Sequence, residues 1–412
     1  MTGGLLQLAA YGAQNVYLTG SPQITFFIAV YKRHTNFAME SIQKQFHGRV
    51  TFGAKVYCDV DPDADLVNST FLQVKLPNLR QIIEDYDENP TSWVNNIGNA
   101  ILQYVDIEIG GTVIDRQYGQ WLDIWSQLTL KSEKEYGYDT MVGKKEHFTP
   151  TSQPGPLNLY IPFQFWFNRN IGLSLPLISL QYSKVRYHVK FRELSELLVS
   201  ATGKLPNECT EEKINIDASL WIDYIFLEND ERRKFASCTL EYLIEQLQVN
   251  TEGVDDKTVV VNLDFNHPVK ELIWVLQVAK YYQDQEANNY NYFNYSSGEP
   301  EEINGDTIED GKLEIEGKDR FREREAKYFR VIQPYQYHTR VPKNYIYVYS
   351  FAYRPEDHQP TGTCNFSKID NATLHLTLND CVVQKETQII IYATNYNVLK
   401  IEGGIAGILY TN

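Results

Sequence analysis

Cysteine is scarce. Cys58, Cys209, Cys238, Cys364 and Cys381 are the whole complement in 412 residues, odd in number, widely spread and without a C-x-x-C pair. Secreted disulfide frameworks use even, denser sets and zinc sites need tighter ligand spacing, so the thiols read as reduced and mostly buried, in a chain made in the cytosol. Charge is missing from the start: no Asp, Glu, Lys or Arg precedes Lys32. Gln7, Gln14, Asn15, Thr19, Ser21 and Gln23 nevertheless interrupt every apolar run there, which argues against a membrane span of about 20 apolar residues and against a secretory signal. An uncharged, aromatic-bearing segment makes a poor solvated tail, and the expectation is an extended arm that lies against something.

Catalytic motifs are missing as well. There is no G-x-x-x-x-G-K-[ST], H-E-x-x-H or G-x-S-x-G, and no G-x-G-x-x-G after a strand. The eight histidines never form H-x-H or H-x-x-H, the spacing expected of a cupin-like metal site. No catalytic, cofactor-binding or metal residue is therefore assigned. His358, within Arg-Pro-Glu-Asp-His-Gln-Pro, reads as part of a solvated, Pro-bounded turn rather than an acid–base or metal centre. A basic excess is absent too: 38 Lys+Arg stand against 53 Asp+Glu, a formal net charge of -15. That balance opposes neutralisation of many phosphates, and no sequence-specific nucleic acid is expected as a partner.

What the sequence has in abundance is β-strand pattern. Hydrophobic residues make up 43% and aromatics 13%, a globular composition sufficient for two or three domains of roughly 150 residues. Short β-branched and aromatic runs recur at 24–31, 71–76, 104–109, 157–167, 185–191, 214–227, 258–263, 272–278, 345–353, 373–378 and 388–393, punctuated by Gly, Pro, Asn and Asp. Leu177 and Phe351 are read as core strand positions. Helix is the minority, expected at 121–132, 193–199 and 228–234; the last opens on acids and closes on Arg232, Arg233 and Lys234, as a linker between two β-rich halves.

The halves echo each other. Ile107-Glu108-Ile109-Gly110-Gly111 with Asp115-Arg116 has a partner in Leu313-Glu314-Ile315-Glu316-Gly317 with Asp319-Arg320. Phe165-Trp166-Phe167-Asn168-Arg169 matches Phe351-Ala352-Tyr353-Arg354, and Tyr187-His188-Val189 matches Leu374-His375-Leu376. Three matches in one order imply a duplicated unit of about 200 residues, larger than an eight-stranded sandwich needs and so carrying long loops. The expected fold is all-β, a double jelly roll of two eight-stranded antiparallel β-sandwiches in tandem with minor helices and long loops. The expected division is an N-terminal arm over 1–26, a first roll over 27–235 including the short linker helix, and a second roll over 236–412.

The second roll carries a tower-like loop at about 281–325, in which Tyr290, Tyr292, Phe293 and Tyr295 either meet a host glycan or, as the simpler reading has it, pack within the loop. N-x-[ST] sequons occur at Asn68, Asn294, Asn365 and Asn371. In a chain read as lacking a secretory signal they are accidental matches, with Asn294 in the loop kept as the candidate glycosylation site.

The opening Gly3-Gly4-Leu5-Leu6-Gln7-Leu8-Ala9-Ala10-Tyr11-Gly12-Ala13-Gln14-Asn15-Val16-Tyr17-Leu18-Thr19-Gly20, with Arg33-His34-Thr35-Asn36-Phe37-Ala38, resembles the start of the major capsid proteins of nucleocytoplasmic large DNA viruses. Phe165 to Asn170 with Leu175 to Tyr182 is similar to that family's first-domain signature, and Asp223 to Leu227 with Glu231 to Ala236 to its interdomain junction. Arg354 to Ala372 and the stretch from Tyr396 through Gly404 extend the likeness to the end of the chain. The resemblance implies a homotrimer whose six rolls form a pseudo-hexagonal capsomer of an icosahedral virion shell, synthesised and assembled in the host cytoplasm. It further implies contacts with neighbouring capsomers, with minor capsid proteins and an internal membrane layer through the N-terminal arm, and with the host surface through exposed loops. A minor capsid paralogue, or a jelly-roll glycan-binding protein, is the alternative.

Overall fold

The structure, a computed structural model, describes residues 10, 12–254, 256–281, 291–297, 305–383 and 385–411. The chain divides into a unit of Met1–Asn36 and a unit of Phe37–Asn412. In the first, helix α1 (Ala13–Thr19) is the regular element among the described residues. The run 24–31 forms no strand, contrary to expectation. Its β-branched and aromatic residues fit a pleated surface, but such propensity becomes a strand only with a ladder to join.

The second unit begins with eight principal strands: β1 (Phe37–Gln45), β2 (Lys55–Val60), β3 (Leu66–Leu76), β4 (Leu102–Ile109), β5 (Thr112–Tyr118), β6 (Leu157–Pro162), β7 (Val185–Phe191) and β8 (Asp217–Leu227). They pair in the orders β1-β8-β3-β6 and β2-β7-β4-β5. Strict alternation in β7, with Val185, Tyr187, Val189 and Phe191 inward, together with Leu72, Val74 and Leu76 of β3, seals the core between the two sheets. Two helices, α2 (Gly119–Thr129) and α3 (Ser132–Val142), interrupt the path from β5 to β6. They replace the single helix expected over 121–132, because Leu130 turns extended.

Helix α4 (Asn229–Ser237) leads into the second set: β9 (Leu240–Val254), β10 (Thr258–Asn262), β11 (Pro268–Val278), β12 (Ile308–Ile315), β13 (Lys318–Asp319), β14 (Tyr347–Ser350), β15 (Ala372–Leu378) and β16 (Thr387–Glu402). Their orders are β9-β16-β11-β14 and β10-β15-β12-β13, so each strand of the first set has its counterpart eight places later. Both sets are antiparallel jelly rolls, and the fold is the expected tandem pair. Two of the echoed motifs fall on equivalent strands, and the third, Phe165–Arg169 with Phe351–Arg354, follows the equivalent strands β6 and β14. The β4–β5 turn at Gly110 and Gly111 and the β12–β13 turn at Glu316 and Gly317 place both residues at positive φ. His188 on β7 reaches Glu108 on β4 at 2.8 Å, and His375 on β15 reaches Glu314 on β12 at 3.5 Å, the same diagonal pair in each roll.

Several local expectations change. Leu177 is buried but lies in a 3-10 turn, and Phe351 follows β14 rather than forming part of it. The aromatic run 157–167 ends its strand at Pro162 and turns helical at Trp166. Strands β12 and β13 and the short strand Arg324–Glu325 occupy the second half of the presumed tower, while 282–290 and 298–304 lie outside the described residues. All five cysteines are free, yet among them only Cys58 is buried, and Cys238 is exposed just after α4.

Candidate functional site

The most heavily built place outside the two cores is the junction of the rolls. Helix α2 is amphipathic, and Trp121, Ile124, Trp125 and Leu128 project from it onto the outer face of the sheet β9-β16-β11-β14. That face answers with Ile273, Val275, Val348, Ile390 and Tyr392, and the rings of Trp121 and Tyr392 lie 5.3 Å apart. Three or four large side chains buried this way contribute on the order of 1.5–3 kcal/mol each.

Below the helix the two chains of strands meet edge to edge. Asp115 on β5 accepts the backbone N–H of Leu247 on β9 at 2.9 Å, while Gln246 Nε2 donates to the Ile114 carbonyl at 2.5 Å. Burial pushes the Asp115 carboxyl up to about 7, only partly offset by the Leu247 N–H.

A buried ionic cluster completes the junction. Arg169, closing the turn after β6, donates to Glu245 on β9 at 2.5 Å, and the other Glu245 oxygen takes Lys270 Nζ of β11 at 2.9 Å. Lys270 also donates to the Pro355 carbonyl at 2.8 Å and sits over the Tyr396 ring. Next along β11, Glu271 accepts the Thr394 hydroxyl and approaches His338 Nε2 at 3.0 Å, while His338 Nδ1 lies 3.0 Å from Glu356. The 3.0 Å approach to Glu271 is an ion contact whose angle departs from hydrogen-bond geometry. A register shift in the β11–β16 ladder between Val269 and Glu271 breaks the alternation there, so neighbouring charged residues share one interior.

Three cations face three carboxylates, and the cluster is neutral when His338 carries its proton. Burial alone would lower the His338 pKa, but Glu271 and Glu356 outweigh it and raise it to about 9. Arg169 and Lys270 overcome the burial of Glu245 and hold its carboxyl below the usual range. Burial pulls the Lys270 ammonium down, with Glu245 opposing. Every charge here has a partner, so the arrangement fixes position and offers no free acid or base for chemistry.

The residues singled out in the sequence are not brought together. His358 is half-buried in its turn, and its neighbour Glu356 serves as a structural acceptor for His338 and Thr339. Among the described residues no group of three or more His, Cys, Asp or Glu is placed to hold a metal ion. Tyr292, Phe293 and Tyr295 are buried: the first two join the first roll's core and Tyr295 joins the α2 contact, so they form no exposed aromatic platform. Tyr290 lies outside the described residues. Asn294, between Phe293 and Tyr295, is half-buried and accepts from the Ser296 N–H and hydroxyl. Asn68 is buried and donates to the Phe167 carbonyl at 2.6 Å, whereas Asn365 and Asn371 are exposed. The junction cluster itself escaped sequence reading. Its one signal was Lys270-Glu271 set directly before the apolar run Leu272–Leu276.

Comparison with known proteins gives this architecture a family. The profile described as "Large eukaryotic DNA virus major capsid protein" matches residues 231–407, and that described as "Major capsid protein N-terminus" matches 25–228. The chain is 38% identical to the major capsid protein of Phaeocystis pouchetii virus, with both chains fully covered, and 36% identical to that of Paramecium bursaria Chlorella virus 1, again over both full lengths. It also superposes on a chain of the solved "PBCV-1 virus capsid, quasi-atomic model" with a TM-score of 0.79 and 31% identity, covering 94% of this chain and all of that one. With matched profiles over both rolls and relatives aligned from end to end, the chain belongs to the major capsid proteins of large eukaryotic DNA viruses, structural components of the virion shell.

Proposed function

We propose that this protein is the homotrimeric building block of an icosahedral shell, three chains placing six jelly rolls in a pseudo-hexagonal capsomer that tiles against its neighbours. The carrying observation is the duplication: two rolls of one strand order, joined by a rigid, largely apolar junction within one chain. Two similar blocks per chain give three chains near-sixfold shape while they obey threefold symmetry, and a closed ring hides its heterologous contacts. In this reading the arm over 1–26 meets minor capsid proteins and an internal membrane layer, and synthesis and assembly occur in the host cytoplasm. Its lack of charge before Lys32, together with exposed Ile24, Phe26, Phe27 and Ile28, suits contact with an apolar layer.

Light scattering of the purified protein at a few micromolar tests the trimer. The expected species is about 143 kDa, three times the 47.7 kDa chain. A persistent monomer under conditions that assemble shells would defeat it. Deleting Met1–Gln23 tests the arm: the rolls should melt unchanged while particles lose their underlying proteins, and unaltered retention of those proteins would refute the role.

A further inference from the structure

The chain contains a worked example of how one roll covers the next. Between β5 and β6 of the first roll, α2 lays Trp121, Ile124, Trp125 and Leu128 on the outer face of the second roll's sheet β9-β16-β11-β14. At the equivalent place in the second roll, before β14, a turn of π-helix (Tyr328–Ile332) runs into α5 (Gln333–Tyr337). Phe329 of this segment is buried and anchors it to its own roll, and Gln333 ties it down by accepting the Ser350 N–H. Ile332 and Tyr335, three apart as Trp121 and Ile124 are, point away and are 41% and 79% exposed.

The receiving surface also has a counterpart. On the outer face of β1-β8-β3-β6, Gln73 is the centre of a hydrogen-bonded patch. It donates to Asn158 Oδ1 at 2.9 Å and to Tyr160 Oη at 2.8 Å, and accepts from Trp221 Nε1 at 2.8 Å. Gln43 adds a bond to Ser219 at 2.9 Å. Phe71, Tyr160 and Trp221 are half-buried there, the aromatic content typical of interface centres. Strand β1 is the outer strand of that sheet, as β9 is of its own, and β9 is the strand that β5 meets through Asp115.

We infer that the subunit interface repeats the intrachain one: the segment 328–337 of one copy, led by Ile332 and Tyr335, packs on the Phe71–Gln73–Tyr160–Trp221 face of a second copy's first roll. This rests on the trimer reading and specifies which surfaces close the ring. The polar receiving face suits a contact that must first exist in water, unlike the apolar one that α2 covers permanently.

The test uses two single variants of the full chain, Tyr335→Arg on the inserting side and Trp221→Arg on the receiving side, with Tyr136→Arg on the exposed face of α3 as control. Each of the first two should weaken assembly at least about 30-fold, the loss of one hot-spot contact, and yield folded monomer by light scattering and circular dichroism. The control should assemble as the parent does. Mixing the two monomeric variants should give a heterodimer, since the intact inserting side of one meets the intact receiving face of the other. Tyr160→Arg replaces Trp221→Arg should the latter misfold. Parent trimers with either variant still trimeric would overturn the surface assignment and leave the trimer standing. A failure of the mixture to complement would overturn the head-to-tail pairing. Parent protein that never trimerises would instead overturn the reading beneath it.

Discussion

In the second roll the sheet β9-β16-β11-β14 has a large apolar cluster on each face, while its counterpart β1-β8-β3-β6 is apolar on one and carries Gln43, Gln73, Asn158, Tyr160, Ser219 and Trp221 on the other. Strand β11 is accordingly buried along almost its whole length, and β1 is exposed along most of its own. The same topology thus carries two surface chemistries. A face covered by the chain itself can be built as core, because water never returns to it. A face that meets solvent before assembly keeps its polar groups hydrogen-bonded among themselves and spares only a few aromatics.

The sharpest way to break that comparison is to truncate equivalent residues. Trp121→Ala should cost about 3–5 kcal/mol in denaturant unfolding, since it empties a buried contact with Tyr392. Tyr335→Ala on the corresponding segment of the second roll, mostly exposed, should cost no more than about 0.5 kcal/mol at dilutions that dissociate assemblies. Equal costs would show that the two helical segments do not play different parts.

Next in size is the ionic cluster, which the first roll lacks at the equivalent place: Thr70 there bonds the Tyr187 hydroxyl at 2.9 Å. Glu245→Ala leaves buried Lys270 and half-buried Arg169 without their shared acceptor and should destabilise by about 3 kcal/mol. Joint replacement by Glu245→Met, Lys270→Met and Arg169→Met should recover much of this, and a triple variant as unstable as the single one would contradict the charge argument.

The smallest expected effect is a pH dependence confined to the junction. His338 has a folded pKa of about 9 against an ordinary 6.5, so its contribution is fully present below pH 6.5 and is lost as pH rises through 9. It amounts to on the order of 3 kcal/mol at most, before solvent relaxation. Asp115, raised to about 7 from 3.8, acts in the same direction: folding favours its neutral form, and that advantage fades between pH 3.8 and 7. Urea titrations from pH 6 to 10 should therefore show declining stability, with the decline above neutrality removed in His338→Gln. A flat profile in the parent would show that the His338 site is not charged as described.

Much of this was legible before the structure. Strand β7 coincides with the run 185–191, because alternation on a half-buried strand is an unmistakable pattern. The duplication was visible in three short matches, since a turn that needs two positive-φ residues and a diagonal His–Glu pair constrain which residues appear. Strands β1 and β9 were not legible: FAMESIQKQ and LEYLIEQLQVNTEGV scatter polar and charged residues among their apolar ones, and no sustained alternation marks them. The run 272–278 misses the start of β11, where Lys270 and Glu271 are paired inside the protein. Pairing across the chain is invisible to any local window.

The junction between the rolls has a last consequence, for the entropy of assembly. Six separate rolls closing into a ring would surrender the translational and rotational freedom of five bodies, each at a cost of several kcal/mol at least. Joining rolls in pairs through α4 and the α2 contact leaves only two such losses on the proposed ring, with the remaining contacts already made at effectively unlimited local concentration. Weak, polar interfaces then suffice between subunits, and weak interfaces can dissociate and re-form until a misplaced unit finds its register.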